Sequence, residues 1–272
     1  MDISFNQHLE GVCKKKDNYL CIGLDIDPNK FSTGRDTSLK GMEQFALEII
    51  NATISFCPIY KPNFAFFERY GAKGYALLEK IVDFINGRAI VIADAKRGDI
   101  GNTSIKYAKS IFEVMGFDAV TISPYMGRDA IEPYLNYSNK GVFVLGLTSN
   151  PSAFEIQGHG TDINPLYVKV IEIINELNVM DNIGLVVGGT QTGIMKKIRT
   201  LSKNIPWLIP GIGAQGGSLV QAVQISNNNG FGIINVSRGI LYAGDGSISK
   251  ITKAALDYTS KIRELTCKKV NY

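Results

Sequence analysis

Histidine, cysteine and tryptophan are scarce in this chain of 272 residues, numbering two, four and one. Histidines as far apart as His8 and His159 do not make a metal centre. Cys13, Cys21, Cys57 and Cys267 form no C-x-x-C pair, and their spacing matches neither a disulfide framework nor a zinc site. They read as reduced thiols of a cytoplasmic protein. Met1-Asp2-Ile3-Ser4-Phe5 is not a basic segment leading into an apolar one, and no apolar run is long enough to cross a bilayer. Neither a secretory leader nor a membrane partner is expected. A large excess of one charge is also missing. The formal net charge is +4, and no dense Lys/Arg stripe with interleaved aromatics occurs, so nucleic acid is not the expected partner. The one basic run, Lys14-Lys15-Lys16, reads as a solvated terminal segment. A mild positive balance suits a small anionic substrate.

What the chain does have is alternation. Hydrophobic residues make up 45% of it, enough for one large core. Strand-like apolar runs cover Leu20 to Asp25, Ile59 to Ala65, Ala89 to Asp94, Ala119 to Ser123, Gly141 to Leu147, Gly184 to Gly188, Trp207 to Pro210 and Gly232 to Val236. Helical periodicity fills the gaps, as in Met42 to Ile54, Tyr75 to Ile85, Ser104 to Met115, Tyr167 to Leu177 and Ile251 to Leu265. Eight strands, nearly all followed by a helical stretch, predict an α/β fold, a (β/α)8 TIM barrel. The expected organisation is a single domain over 1–272 with a short N-terminal extension. An open doubly wound sheet is the rival architecture. The polar, Gly-containing segment Asn150 to Pro165 reads as an active-site loop or lid.

The most informative stretch is Ile92-Ala93-Asp94-Ala95-Lys96-Arg97-Gly98-Asp99-Ile100. It follows a β-branched approach and precedes a helix opened by Asn102-Thr103-Ser104. Asp94 and Lys96, two apart on an extended chain, point to the same face. An ordinary charged surface loop is the plain alternative. The C-terminal end of a strand is where parallel α/β folds put their chemistry. Lys61, inside the apolar Ile59-Tyr60-Lys61-Pro62-Asn63-Phe64, needs a buried partner or a cleft, and Asp94 one strand over is the natural partner. Asp25 ends the first apolar run, where a carboxylate can accept hydrogen bonds from sugar hydroxyls. Asp27 before Pro28 starts a turn.

Gly211-Ile212-Gly213-Ala214-Gln215-Gly216-Gly217 follows the seventh expected strand and matches G-x-G-x-x-G. A dinucleotide fold places that turn after its first strand, with an acidic residue about 20 positions on. Here Asn235, Ser237 and Arg238 stand at the next strand end instead. Phosphate binding on the seventh and eighth barrel loops fits better, with Gln215 and Arg238 as donors. Thr148-Ser149-Asn150 suits hydrogen bonding to a heterocycle and equally suits helix capping. Trp207 reads as core, and His159 as a solvent-facing loop residue.

Taken together, these motifs resemble the orotidine 5′-phosphate decarboxylases, in the form of the longer, type 2-like subfamily. The likeness runs from Gly23-Leu24-Asp25 to Ser237-Arg238-Gly239 and rests on Asp94-x-Lys96-x-x-Asp99 and on Lys61 in Lys-Pro-Asn-Phe-Ala-Phe-Phe-Glu. It implies a lyase of UMP biosynthesis that converts orotidine 5′-monophosphate to uridine 5′-monophosphate and CO2, with no cofactor and no metal. By resemblance Lys96 is the proton donor, Asp94 the carboxylate beside the substrate carboxylate, and Lys61 the lysine completing the charge network. Asp25 matches the ribose-hydroxyl acceptor, Ser149 the pyrimidine contact, and Gln215 with Arg238 the phosphate grip. Pro210, Gly216 and Gly239 fall among the substrate-binding positions. Asp99, with Ile100 and Thr103, matches residues that cross into a partner subunit's site, which implies a homodimer. An orotate phosphoribosyltransferase is a further partner the resemblance allows. One departure is Gly188-Gly189-Thr190, where Gly-Ala-Thr is expected.

Two other readings stand beside this one. A magnesium-dependent relative such as 3-keto-gulonate 6-phosphate decarboxylase has a glutamate where this chain has Lys61, and a lysine there repels a cation. A non-catalytic nucleotide-binding barrel does not call for two carboxylates, since its ligand is a dianion.

Overall fold

A run such as Leu20–Leu24, buried at every position, has no polar face to offer water and forms a strand covered on both sides. The computed structural model describes residues 3–213 and 216–267. Eight strands, mostly buried along their length, occur among the described residues: β1 (Leu20–Leu24), β2 (Ile59–Pro62), β3 (Ile90–Arg97), β4 (Ala119–Ile122), β5 (Gly141–Leu147), β6 (Ile183–Val187), β7 (Trp207–Ile209) and β8 (Gly232–Val236). They pair in parallel in sequence order, and β8 pairs back onto β1. The barrel is therefore closed, as the alternation predicts, and the open sheet is excluded.

The helices are α1 (Phe5–Lys15), α2 (Leu39–Thr53), α3 (Ala65–Glu68), α4 (Ala72–Ile85), α5 (Gly101–Lys109) and α6 (Glu132–Leu135). They continue with α7 (Ala153–Ile156), α8 (Leu166–Leu177), α9 (Thr192–Leu201), α10 (Leu219–Ser226), α11 (Arg238–Leu241) and α12 (Ile248–Cys267). Their apolar faces and the outer strand faces form the larger core. Trp207 lies there as expected, fully buried, with the Arg199 guanidinium 3.9 Å over its ring.

The barrel interior explains the site. Side chains alternate along a strand, so the inward series can be read in steps of two. Cys21-Gly23-Asp25, Ile59-Lys61, Ile90-Ile92-Asp94 and Ala119-Thr121 each begin apolar and end polar. The lower interior is an apolar cluster of Cys21, Ile59, Ile90, Ile92, Ala119, Phe143 and neighbours. The polar ends converge at the top.

Three expectations are corrected. The basic run is only partly solvated, because Lys14 and Lys15 are exposed but the helix that carries them, α1, plugs the bottom of the barrel. Ser4 caps it through a reciprocal bond with Gln7, and Phe5, Leu9 and Cys13 bury one stripe against the lower interior. Burying side chains such as Phe5 and Leu9 contributes about 1.5–3 kcal/mol each. Gly141 is required beneath it, since a Cβ there would lie 2.1 Å from the Phe5 ring. Lys16 is not free in solvent, as its Nζ donates to the Ile54 and Cys57 carbonyls at 2.6 and 2.9 Å. Second, β2 stops at Pro62, not Ala65. Asn63 Oδ1 accepts from the Ala65 N–H at 3.3 Å and turns the chain into α3. Third, β3 continues past Asp94 to Arg97.

Candidate active site

Lys61 and Asp94 meet because β2 and β3 pair in register and both side chains point inward at the strand tops. Lys61 Nζ lies 2.6 Å from Asp94 Oδ2, and Lys96 Nζ lies 2.6 Å from Asp94 Oδ1. Thr121 Oγ1 donates to the same Oδ1 at 3.2 Å. Lys61 is 4% exposed and Asp94 8%, whereas the Lys96 side chain is 51% exposed. Burial alone would raise the Asp94 pKa, but the Lys61 and Lys96 ammonium groups overcome it and hold the carboxyl well below its usual range. Burial alone would lower that of Lys61, and the Asp94 and Asp25 carboxylates overcome it and push it above the usual lysine value. Lys61 and Asp94 are ionised together at neutral pH.

The two-residue spacing does bring the Lys96 ammonium to the Asp94 carboxylate, but not along a plain strand. Lys96 has φ +45°, in the left-handed region, and the pairing of β3 with β4 shifts between Ala93 and Arg97.

Above this array opens a cavity of about 460 Å³, lined by Asp25, Lys61, Asp94, Lys96, Ser149, Pro210 and Arg238 among others. That volume falls within the range of small-molecule sites. Asp25 Oδ1 is buried and has no hydrogen-bond partner among the described residues. Asp27 has the turn role expected, with Oδ1 accepting from Asn29 N–H at 3.1 Å. Ser149 lines the cavity, and its carbonyl accepts from Thr190 Oγ1 at 3.1 Å. The segment from Asn150 to Pro165 is tied to the same wall, since Thr148 N–H donates to Gln157 Oε1 at 2.8 Å.

At the far end, Gly211, Gly213 and Gly216 have φ of +92°, +79° and +84°, which only glycine adopts freely. Gly217 N–H closes the turn on the Gly211 carbonyl at 3.1 Å. Arg238, the first residue of α11, reaches the cavity. Gln215 lies outside the described residues. Gly216 and Gly239 do not line the cavity. A Cβ at Gly239 would sit 3.0 Å from the Tyr258 hydroxyl. The departure at Gly189 has a local reason, because a Cβ there would lie 2.5 Å from Ile212 Cδ1. Ile212 fills the space of the missing methyl group.

Asp99, Ile100 and Thr103 do not line this chain's cavity. Asp99 Oδ1 accepts from Ile100 N–H at 2.9 Å, Ile100 is 52% exposed, and Thr103 is exposed. Tyr125 and Met126, just after the neighbouring β4, are exposed as well.

Sequence reasoning missed Thr121, Asn63, Gln157 and Tyr242. Thr121 and Asn63 had a signal, being polar residues at or just past apolar strands. Gln157 and Tyr242 had none. The Tyr242 hydroxyl accepts from Asp27 N–H at 2.7 Å and donates to the Asp25 carbonyl at 3.0 Å. It thus ties the loop after β1 to the element that carries Arg238.

Known proteins are similar to this chain in sequence and in fold. An orotidine 5′-phosphate decarboxylase of Thermomicrobium roseum is 44% identical over 246 residues, covering 89% of this chain and 88% of that protein. One of Dehalococcoides mccartyi is 41% identical over 268 residues, covering 96% and 97%. Among solved structures, Leishmania donovani OMP decarboxylase superposes with a TM-score of 0.82 at 32% identity, covering 97% of this chain and 99% of that one. Leishmania donovani UMP synthase gives 0.87 at 34% identity, with 98% of this chain matching 57% of that one. The profile of the orotidine 5′-phosphate decarboxylase / HUMPS family matches residues 18–249. With nearly its whole length matched, this chain belongs to the orotidine 5′-phosphate decarboxylase / HUMPS family.

Proposed function

We infer that this protein decarboxylates orotidine 5′-monophosphate to uridine 5′-monophosphate and CO2, and that its own side chains carry the chemistry without a cofactor. The observation that carries the reading is the alternating row Lys61–Asp94–Lys96, joined by two contacts of 2.6 Å at the floor of the cavity. The reaction breaks the bond between the pyrimidine ring carbon and its carboxylate. CO2 leaves, and the electron pair stays on a carbon with no adjacent electron sink. An ammonium fixed beside that carbon stabilises the developing charge and then delivers a proton to it. Lys96, more open to the cavity than Lys61, takes that role. Asp94 remains ionised, holds both lysines in place and faces the substrate carboxylate.

The remaining assignments follow the cavity. Asp25 accepts from ribose hydroxyls through Oδ1, which has no partner among the described residues. Ser149 meets the pyrimidine. Arg238, with Gln215, the glycine turn and Pro210, holds the phosphate, and Gly216 and Gly239 keep the backbone close there. Binding energy gained at this remote end orders the reacting end, so phosphate contacts affect turnover as well as affinity. Asp99, Ile100 and Thr103 serve the partner site of a homodimer, a role supported by their outward position. We place the enzyme in the cytosol as one barrel domain. Its reduced cysteines support that setting, and no described helix is long and apolar enough to cross a membrane. Association with an orotate phosphoribosyltransferase would put the supplier of its substrate beside it.

A magnesium-dependent sugar-phosphate decarboxylase is disfavoured by Lys61, whose ammonium occupies one oxygen of the carboxylate that would face the cation. The test is loss of the orotate ultraviolet band on mixing purified protein with orotidine 5′-monophosphate, with and without excess EDTA. Rapid loss in both samples is expected. Loss only without EDTA would indicate the metal-dependent reading, and no loss from folded protein would overturn the decarboxylase assignment.

A further inference from the structure

We propose that Thr121 is a positioning residue that sets the backbone of the proton donor Lys96. The proposal rests on the decarboxylase reading above. β3 and β4 pair as a parallel ladder at Ile92↔Ala119 and Ala93↔Val120, and the ladder resumes at Arg97↔Ile122. Between those pairs β3 has three residues, Asp94, Ala95 and Lys96, while β4 has only Thr121. Such a bulge re-aims side chains and strips backbone groups of their ladder partners. Thr121 is 2% exposed, and its hydroxyl supplies what the bulge removes. Its oxygen accepts from the Lys96 backbone N–H at 2.9 Å, and its proton goes to Asp94 Oδ1 at 3.2 Å. One hydroxyl thus binds the backbone of the donor lysine and the carboxylate that holds its ammonium.

The backbone it binds is not relaxed. Lys96 has φ +45°, a conformation that residues bearing a Cβ rarely adopt and that persists only when the surroundings enforce it. The Arg97 carbonyl is held next door, accepting from Ser123 N–H at 2.7 Å. Lys96 is therefore fixed from both sides by the upper end of β4. Without the Thr121 hydroxyl its N–H loses its partner and the left-handed turn loses one of its restraints. Lys61 would be less affected, because its contact with Asp94 Oδ2 comes from β2.

The experiment compares Thr121→Val and Thr121→Ser with the unmodified enzyme in steady-state turnover of orotidine 5′-monophosphate, with a crystal structure of Thr121→Val. Valine keeps the volume and removes both hydrogen bonds, whereas serine keeps the hydroxyl. For valine, kcat should fall on the order of 10²-fold, the scale expected when a reacting group is displaced by about 1 Å. KM should stay within roughly threefold, because the contacts to phosphate and ribose are untouched. Serine should restore most of the lost kcat, and the valine structure should show Lys96 out of the left-handed region. An unchanged kcat in the valine variant, serine as impaired as valine, or an unchanged Lys96 backbone would overturn the proposal. If the unmodified enzyme leaves the substrate intact, the decarboxylase reading fails, while the valine structure still decides whether Thr121 sets the Lys96 backbone.

Discussion

Replacing Asp94 by asparagine keeps the shape at the centre of the site and removes the charge on which two ammonium groups converge. Lys61 bears the consequence, since it is 4% exposed and, among the described residues of its own chain, Asp25 is the other carboxylate that raises its pKa. Removing one partner of a buried ion pair costs about 3–5 kcal/mol. The low end applies here, because Lys96 is half in solvent and the asparagine oxygen still accepts one hydrogen bond. For a chain of this length an unfolding entropy of about 2.1 cal/mol/K per residue turns 3 kcal/mol into a fall in Tm of roughly 5 °C. The pH dependence is the sharper test. The depressed Asp94 pKa contributes stability that is full above the ordinary carboxylate value of about 3.9 and is lost as pH falls through the folded value. The raised Lys61 pKa contributes stability that is full below about 10.4 and is lost as pH rises through the folded value. In Asp94→Asn both contributions go. Burial then depresses Lys61, and the variant gains stability as pH rises and the lysine loses its proton. The stability gap between the two proteins is therefore widest near neutrality and narrows toward both acid and alkali. Denaturant unfolding followed by the emission of the buried Trp207 measures it across that range. A gap under about 1 kcal/mol at pH 7, or one that does not change with pH, would refute the buried-charge argument.

Lys96→Ala should abolish turnover of orotidine 5′-monophosphate. Its stability should change by no more than about 1 kcal/mol, because a half-exposed ion pair contributes little, and a thermal melt beside the activity assay checks both. Phe5→Ala should destabilise the protein by about 3–5 kcal/mol by opening a cavity under Gly141, with turnover at room temperature unchanged. Mixing Asp99→Ala with Lys96→Ala chains under subunit exchange should restore activity. Random pairing gives half mixed dimers with one intact composite site each, so recovery approaches about a quarter of the unmodified enzyme. No recovery with exchange demonstrated would remove Asp99 from a shared site.

The strands were legible because a parallel barrel buries both faces, so they appear as short, mainly apolar runs such as Gly141–Leu147. The charged residues were legible for the converse reason. A lysine and two acids at the ends of such runs have no structural excuse, and Lys61 beside Asp94 could be foreseen from one strand to the next. What escaped depends on contacts that no local pattern encodes. α1 looks like a polar terminal segment because a plug needs only one narrow apolar stripe, here Phe5, Leu9 and Cys13, and polar residues such as Asn6, Gln7, His8, Glu10, Lys14 and Lys15 fill most of the rest. The capping pair Ser4 and Gln7 was the available signal. The span of β2 was overestimated because Phe64 and Phe67 are as buried as strand residues while lying around a turn made by Asn63.

The bulge opposite Thr121 is the deepest case. Asp94-x-Lys96 reads as two side chains on one face of a strand, and the two do meet in an ion pair. Sequence periodicity assumes that successive residues advance evenly, yet β3 spends three residues where β4 spends one. The extra length is invisible until the neighbouring strand supplies the register. The conformation of Lys96 is thus a tertiary property, held by a hydroxyl 25 residues away in sequence. A residue in such a turn can be aimed independently of its own strand. This is why a barrel can bring a lysine and an aspartate two positions apart into contact with each other while keeping the strand beneath them wholly apolar.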